Sequence, residues 1–304
     1  MGQSRRGEHG SPCGRSGAAS RFGRPIHQIT GRTGGETSAV TSHRLLLLDF
    51  DGTLCLGDDP VLAYAEQVDE LLEQRTQGST RERTVREAVT AAFAQNLLLV
   101  EDIQYDAAGT PAAVSTDPAP SVGKAHPVSW PLQDGYQLVQ LLATQAGLTN
   151  EDTGLAFRQA RRNLLAKGLD NTDVHAPPEA AALLKELRGS GLSAVLATNA
   201  PAEGFDVWLE ALGLQNSFDA VINSAQKPFG MPQTIEQARR AGPHPVPQTE
   251  ILSVGDIWAN DLAHVDALGG ATVLIDRFST GLGDPDHRVW SFEQSAPIIF
   301  RWAG

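Results

Sequence analysis

Four consecutive leucines, Leu45 to Leu48, run directly into Asp49-Phe50-Asp51-Gly52-Thr53, and this junction restricts the possible fold more than any other stretch. An apolar run with no polar interruption reads as a strand buried on both faces, the pattern of a central parallel strand. Two carboxylates then stand where the strand ends, and open α/β sheets bind ligands outside the carboxyl ends of their strands. Gly52 lets the backbone turn sharply and approach a ligand closely. If Asp49 is still extended, it and Asp51 point the same way. Carboxylates held that close repel one another unless a divalent cation compensates them. On these residues alone, two solvated acids at an Asp-Gly turn remain an alternative.

The rest of the chain narrows the choice. Strand patterns recur at Leu192 to Thr198, Phe218 to Ile222, Glu250 to Val254 and Ala271 to Ile275. Helical patterns run from Pro177-Pro178 through Leu187, Glu203 to Leu212, about Pro232 to Ala241, and Ile257 to Leu268. Strands alternating with helices by short links imply an α/β fold with a doubly wound parallel sheet. Between the first two strands lies a long segment of helical character. Its helices are expected over Val61 to about Gln77, Arg81 to Leu99 (capped by Ser79 or Thr80), Pro131 to Ala146, and Asn150 to Lys167. Asp106 to Trp130 is rich in Ala, Gly, Pro, Ser and Thr without periodicity and reads as a long loop, a lid or a floppy insertion. The expected organisation is a disordered tail over residues 1–43, an α/β core over 44–57 and 176–304, and a mostly helical inserted domain over 58–175. No strand is expected in that insertion, and nothing after Ser279 shows a readable pattern.

Composition excludes several function classes. The 304-residue chain carries a formal net charge of −12, the opposite of what a phosphate backbone demands of its partner. No apolar run is long enough to span a bilayer. Cys13 and Cys55 cannot form a disulfide framework and read as reduced thiols of a cytoplasmic protein, Cys55 as a small apolar filler.

At the strand ends stand Asp49, Asp51, Thr198 and Asp256, with Lys227 after the third strand and Asp261 at the start of the following helix. A parallel sheet gathers these at one edge, where buried charges are costly unless paired or metal-bound. Taken singly, each has a bland reading. Thr198 can bond its own backbone, Lys227 can be a solvated loop lysine, Asp256 a helix cap, Asp261 a first-turn acid, and Asn199 a turn residue before Pro201.

Taken together, they resemble the haloacid dehalogenase superfamily, of the phosphatase kind. Its first motif, DxDGT, stands as Asp49-Phe50-Asp51-Gly52-Thr53; its second as Thr198; its third as Lys227-Pro228; its fourth, GDxxxND, as Gly255-Asp256 through Asn260-Asp261. The resemblance covers about residues 44–276. It implies a magnesium-dependent phosphohydrolase acting on a small phosphorylated metabolite, with a helical cap between the first two motifs. Asp49 would be the nucleophile forming an aspartyl-phosphate, and Asp51 the general acid and base. Mg2+ would be held by the Asp49 and Asp256 carboxylates and the Asp51 backbone carbonyl, with Asp261 acting from behind them. Thr198 and Lys227 would act on the phosphoryl group, and Gly52 and Asn199 would complete its cradle. A sugar phosphomutase of the same superfamily is the rival enzyme, and a catalytically silent phosphate- or metal-binding regulator the rival of another class. Arg81, Arg83, Arg86, Arg158, Arg161 and Arg162 are candidate cap contacts, although charged helix faces are ordinary.

Overall fold

The computed structural model of the chain describes residues 43–76, 83–98, 103–105, 111–114, 132–242 and 244–304. The expected tail and most of the 106–130 loop lie outside these residues. The leucine run forms β1 (Leu45–Leu48), fully buried, and its side chains alternate between two cores. Leu46 and Leu48 pack in one cluster with α5 (Ala180–Gly189), α6 (Phe205–Ala211) and α9 (Phe292–Ala303). Leu45 and Leu47 pack in another with α7 (Met231–Ala238) and α8 (Ala263–Ala267). A strand flanked by helices on both faces needs no polar side, which is why an all-leucine run is stable here.

The sheet has six strands in the order β5-β4-β1-β6-β7-β8, every pairing parallel. Its other members are β4 (Ser193–Ala197), β5 (Ala220–Ile222), β6 (Ile251–Gly255), β7 (Ala271–Ile275) and β8 (His287–Val289). The chain winds outward from β1 through β4 to β5, then crosses back to β6 on the other side of β1. The order therefore reverses between β1 and β6, and a crevice opens at such a switch point above the carboxyl ends.

Between β1 and β4 lies the helical insertion: α1 (Asp59–Thr76), α2 (Val85–Ala94), α3 (Gly135–Gln145) and α4 (Asn150–Lys167). These helices share a core of their own that includes Tyr64, Val68, Val89, Val139 and Ala160. Two crossings join it to the sheet, where Leu56 and His175 exchange backbone hydrogen bonds of 2.9 and 3.1 Å. Asp173 accepts the Asp58 and Asp59 N–H groups beside Gly57, whose φ of +114° and proximity to Asp173 leave no room for a Cβ.

Four differences from the sequence-based expectations have physical causes. α2 begins at Val85, where Thr84 and Glu87 form a reciprocal capping box; the expected caps Ser79 and Thr80 lie outside the described residues. α3 begins after Asp134, whose carboxylate caps Gln137 N–H, and not at Pro131. The insertion contains an antiparallel strand pair, β2 (Ile103–Tyr105) and β3 (Pro111–Val114), the second inside the expected loop; three and four residues are too few to show a period. After Ser279 the chain adds β8 and α9, whose signals were masked by the brevity of the strand and by Pro297 within the helix.

Candidate active site

Asp49 extends β1 by one residue, its N–H bonding Val254 O on β6 at 3.0 Å. The chain then folds tightly: Phe50 O accepts from the N–H groups of Thr53, Leu54 and Cys55, and Gly52 sits at φ +80°. A Cβ on Gly52 would lie 2.1 Å from Asp256 Oδ2, so only glycine lets the end of β6 approach this loop. Gly255 does the same for the next turn, since a Cβ there would lie 2.5 Å from Asp261 Oδ2. Asp261 follows in a π-helical turn, Trp258–Leu262, and accepts Ile257 N–H at 2.9 Å.

Lys227 binds this corner together. Its Nζ donates to Asp49 Oδ1 (2.5 Å), Asp261 Oδ1 (2.6 Å) and Ala197 O (3.1 Å), which uses all three ammonium hydrogens. Burial alone would lower the ammonium's pKa, but the charges of Asp261 and Asp49 outweigh it and hold Lys227 protonated. Thr53 Oγ1 donates to Asp49 Oδ2 at 3.1 Å, so both oxygens of Asp49 are oriented. Asn199 brackets the Lys227 peptide, accepting its N–H at 2.7 Å and donating to its carbonyl at 3.2 Å. Thr198 is buried, and its Oγ1 accepts Ala200 N–H at 3.0 Å, leaving the hydroxyl proton as a donor.

The solvated-lysine reading of Lys227 therefore does not describe its surroundings; the side chain is 4% exposed. Substitution Lys227→Met, which keeps the stem and removes the charge, leaves two buried carboxylates without their shared partner. Removing the shared cation and so leaving buried carboxylates uncompensated costs about 3–5 kcal/mol. Chemical denaturation in chelator should show a destabilisation of that order.

Asp49, Asp256 and Asp261 place carboxylate oxygens within 4.8 Å of one another, all three buried. Burial, with the charge of Asp49 next, raises the Asp256 carboxyl well above its ordinary range, and burial pushes Asp261 up to about 6. A hard, all-oxygen donor set with more negative than positive charge fits a divalent cation of the magnesium or calcium class, which would relieve this cost.

Three groups from the insertion reach the same corner, and the sequence motifs name none of them. Tyr136 Oη donates to Asp51 Oδ1 at 3.2 Å, and Arg161 Nη1 lies 3.3 Å from the same oxygen. Arg161 is buried with its guanidinium 4.0 Å from the centroid of the Trp208 ring, a cation–π arrangement. Burial raises the Asp51 carboxyl above its usual value; Asp49 adds to the rise, while Arg161, Tyr136 and Lys227 oppose it. The third group is the α3 cap, Asp134, which burial pushes up to about 7. Of the other candidate arginines, Arg81 lies outside the described residues, and Arg83, Arg86, Arg158 and Arg162 are exposed.

Asp49, Asp51, Asp134, Tyr136, Thr198, Asn199, Lys227, Asp256 and Asp261 line one cavity of about 250 Å³ above the carboxyl ends of β1, β4 and β6, and Arg161, Gly52 and Thr53 do not. The cavity's opposite wall belongs to α1, α3 and α4. Among the described residues, no helix is long and apolar enough to cross a membrane.

Comparison with known proteins supports this assembly at the level of family. A model of haloacid dehalogenase-like hydrolases matches residues 43–263. Comparison with curated proteins finds no match. Among solved structures, a predicted phosphoglycolate phosphatase from Haemophilus somnus 129pt is 15% identical with a TM-score of 0.48, covering 86% of this chain and 99% of its own. A HAD phosphatase from Thermococcus onnurineus is 18% identical with a TM-score of 0.47, covering 84% and 97%. A 2-haloacid dehalogenase from Pseudomonas syringae pv. Tomato DC3000 is 15% identical with a TM-score of 0.45, covering 86% and 99%. With the family model spanning well over half of its length, the chain belongs to the haloacid dehalogenase-like hydrolases.

Proposed function

We propose that the chain is a magnesium-dependent phosphohydrolase that cleaves a small phosphate monoester, with Asp49 as the nucleophile. The observation that carries this reading is the unequal treatment of two neighbouring carboxylates. Asp49 is oriented through both oxygens by Lys227 and Thr53, as a nucleophile needs. Asp51 is turned toward Tyr136 and Arg161 and accepts no bond from Lys227; burial raises its carboxyl above the ordinary value although both of these partners oppose the rise. A protonated acid beside the nucleophile serves an alkoxide leaving group; a halide leaving group needs no proton.

In the first step an Asp49 oxygen bonds to phosphorus while the ester P–O bond breaks, and Asp51 gives its proton to the departing oxygen. Water then attacks phosphorus, Asp51 takes its proton, and the Asp49–phosphorus bond breaks to release phosphate. Lys227 offsets negative charge at Asp49 and the phosphoryl oxygens, and the Thr198 hydroxyl donates to one of them. The expected Gly52 contact is not available, because its N–H already donates to Cys55 O at 3.0 Å and the residue lies outside the cavity; Asn199 borders the phosphoryl cradle. Asp49, Asp256 and the Asp51 carbonyl would hold Mg2+, with Asp261 fixing Lys227 behind them; when bound, the cation supplies charge neutralisation to the phosphoryl group. The α1–α4 insertion acts as a cap that excludes water and faces the leaving group.

The test is phosphate release from a panel of monoesters by chelated protein and by the same protein resupplied with Mg2+. Turnover is expected only with the cation. Interconversion of hexose phosphates without release would favour the mutase, and silence in both assays would favour a binding regulator.

A further inference from the structure

Arg161 stands where the pattern of α4 calls for an apolar residue. Phe157, Arg161 and Leu164 follow the i, i+4, i+7 spacing of one helix face, and Phe157 and Leu164 both pack with the core cluster of α5, α6 and α9. Arg161 enters the same cluster, its side chain 7% exposed. Its guanidinium carbon lies 4.0 Å from the Trp208 ring centroid and 5.7–5.9 Å from those of Phe157, Phe205 and Phe50. Four rings hold a cation well, but a leucine or methionine would fill the same space without the cost of burying a charge. The arginine is also incompletely satisfied: Nη2 is buried with no hydrogen-bond partner among the described residues. Packing alone does not account for this residue.

What the guanidinium reaches is one oxygen of Asp51. Nη1 lies 3.3 Å from Oδ1, and Tyr136 Oη donates to the same atom at 3.2 Å. Among the described residues, no donor is bonded to Asp51 Oδ2. A carboxyl oxygen that accepts two donors has both of its lone pairs occupied, so a proton on this carboxyl belongs on Oδ2.

Two other roles for Arg161 fit less well. It does not line the cavity, so it does not touch a phosphoryl or leaving group there. Its charge opposes protonation of Asp51, so it is not placed to help that carboxyl hold a proton. What it can supply is direction. Phe50, one of its four rings, lies between Asp49 and Asp51, and Phe205 and Trp208 belong to α6. The guanidinium is therefore fixed relative to the catalytic loop itself. Lys227 attracts the Asp51 carboxylate from the Asp49 side, and Arg161 attracts it from α4.

We propose that Arg161 is a positioning residue of the reaction, anchoring Asp51 by Oδ1 so that Oδ2 faces the cavity as the atom that gives and takes the proton. This rests on the phosphohydrolase reading. As the ester P–O bond breaks, the Oδ2–H bond breaks and its proton passes to the leaving oxygen; as water attacks phosphorus, its proton re-forms that Oδ2–H bond.

Single-turnover kinetics of the Mg2+-loaded protein test it, with glycerol 3-phosphate as a plain alkyl ester and p-nitrophenyl phosphate as an ester whose leaving group needs no proton. Arg161→Met keeps an apolar stem among the four rings and removes the donors. It should slow cleavage of the alkyl ester about 10- to 100-fold, with the half-saturating concentration unchanged, and slow the first release of nitrophenolate less than about threefold. In an Asp51→Asn background the same substitution should change alkyl-ester cleavage less than about twofold, since its target is gone. Arg161→Lys, which keeps the charge and the stem but not the planar fork, should show the same selectivity with a smaller loss, and it carries the test if the Met variant fails to fold.

Equal slowing of both esters, an undiminished effect in the Asp51→Asn background, or a loss confined to the half-saturating concentration would overturn the inference and leave the phosphohydrolase standing. If no ester turns over, the phosphohydrolase reading fails by itself. A crystal structure of the Arg161 variant then decides the inference: an Asp51 side chain turned to a new rotamer supports it, and one that keeps its place overturns it.

Discussion

Asp49→Asn is expected to remove phosphate release by a factor on the order of 10⁴ or more while leaving the metal-free protein at least as stable as the parent. The two halves have different causes. An amide oxygen cannot form the acyl-phosphate bond, so the proposed displacement would lose its nucleophile. Stability responds instead to the charge of the cluster. Asp49 is among the causes that push the carboxyls of Asp51, Asp134, Asp256 and Asp261 upward, so removing its charge relieves all four. An Asn at this position can still accept from Lys227, which also keeps Asp261 as its partner.

The pH dependence follows from the same groups. Asp261 and Asp134 are raised from an ordinary 3.8 to about 6 and about 7. The folded chain therefore holds protons that the unfolded chain has released. Their contribution is fully present below about pH 4 and is lost as pH rises toward 7. Thermal unfolding in chelator should show the parent losing stability over this interval, and Asp49→Asn a shallower fall. A variant less stable than the parent at pH 7 would show that the Lys227–Asp49 pair outweighs the repulsion.

Much of this corner is legible in the sequence because each piece closes a strand. Leu45–Leu48 could only be a strand buried on both sides, and parallel pairing then brings Asp49, Thr198 and Asp256 to one edge without any knowledge of long-range contacts. Lys227 and Asp261 are one loop or one turn further, still within reach of local reasoning. Tyr136, Asp134 and Arg161 are not legible in that way. They sit on helices, and which helical residue meets Asp51 depends on how α3 and α4 lie over the sheet, a property no local pattern encodes. Arg161 had one faint signal: it follows Ala156 and Ala160 on the buried side of α4, whereas Arg158 and Arg162 occupy the exposed side. Asp134 had another, an Asp before Gly135 at a helix start, although an N-cap explains that residue without a site.

Asp51→Asn separates the two proton transfers assigned to one carboxyl, and its effect should depend on the leaving group. An alkyl ester departs as a strongly basic alkoxide, so loss of the acid should slow the first step by a factor on the order of 10²–10⁴. p-Nitrophenolate is a stable anion that leaves without a proton, so its release should be nearly spared. In the proposed mechanism Asp51 is also the base for the second step, so the attacking water would lose its activator in either case. With p-nitrophenyl phosphate the variant should therefore give a burst of about one nitrophenolate per enzyme, then slow turnover, with phosphate trapped on Asp49. With an alkyl ester no burst should appear, because the first step is already slow. Tyr136 and Arg161 can still hydrogen-bond the Asn amide oxygen, which keeps the comparison one of proton transfer and not of collapsed geometry. Equal losses on both esters, without a burst, would show that Asp51 acts only in shaping the loop, and its proton chemistry would then have to come from another group facing the same cavity, of which Asp134 is the nearest in kind.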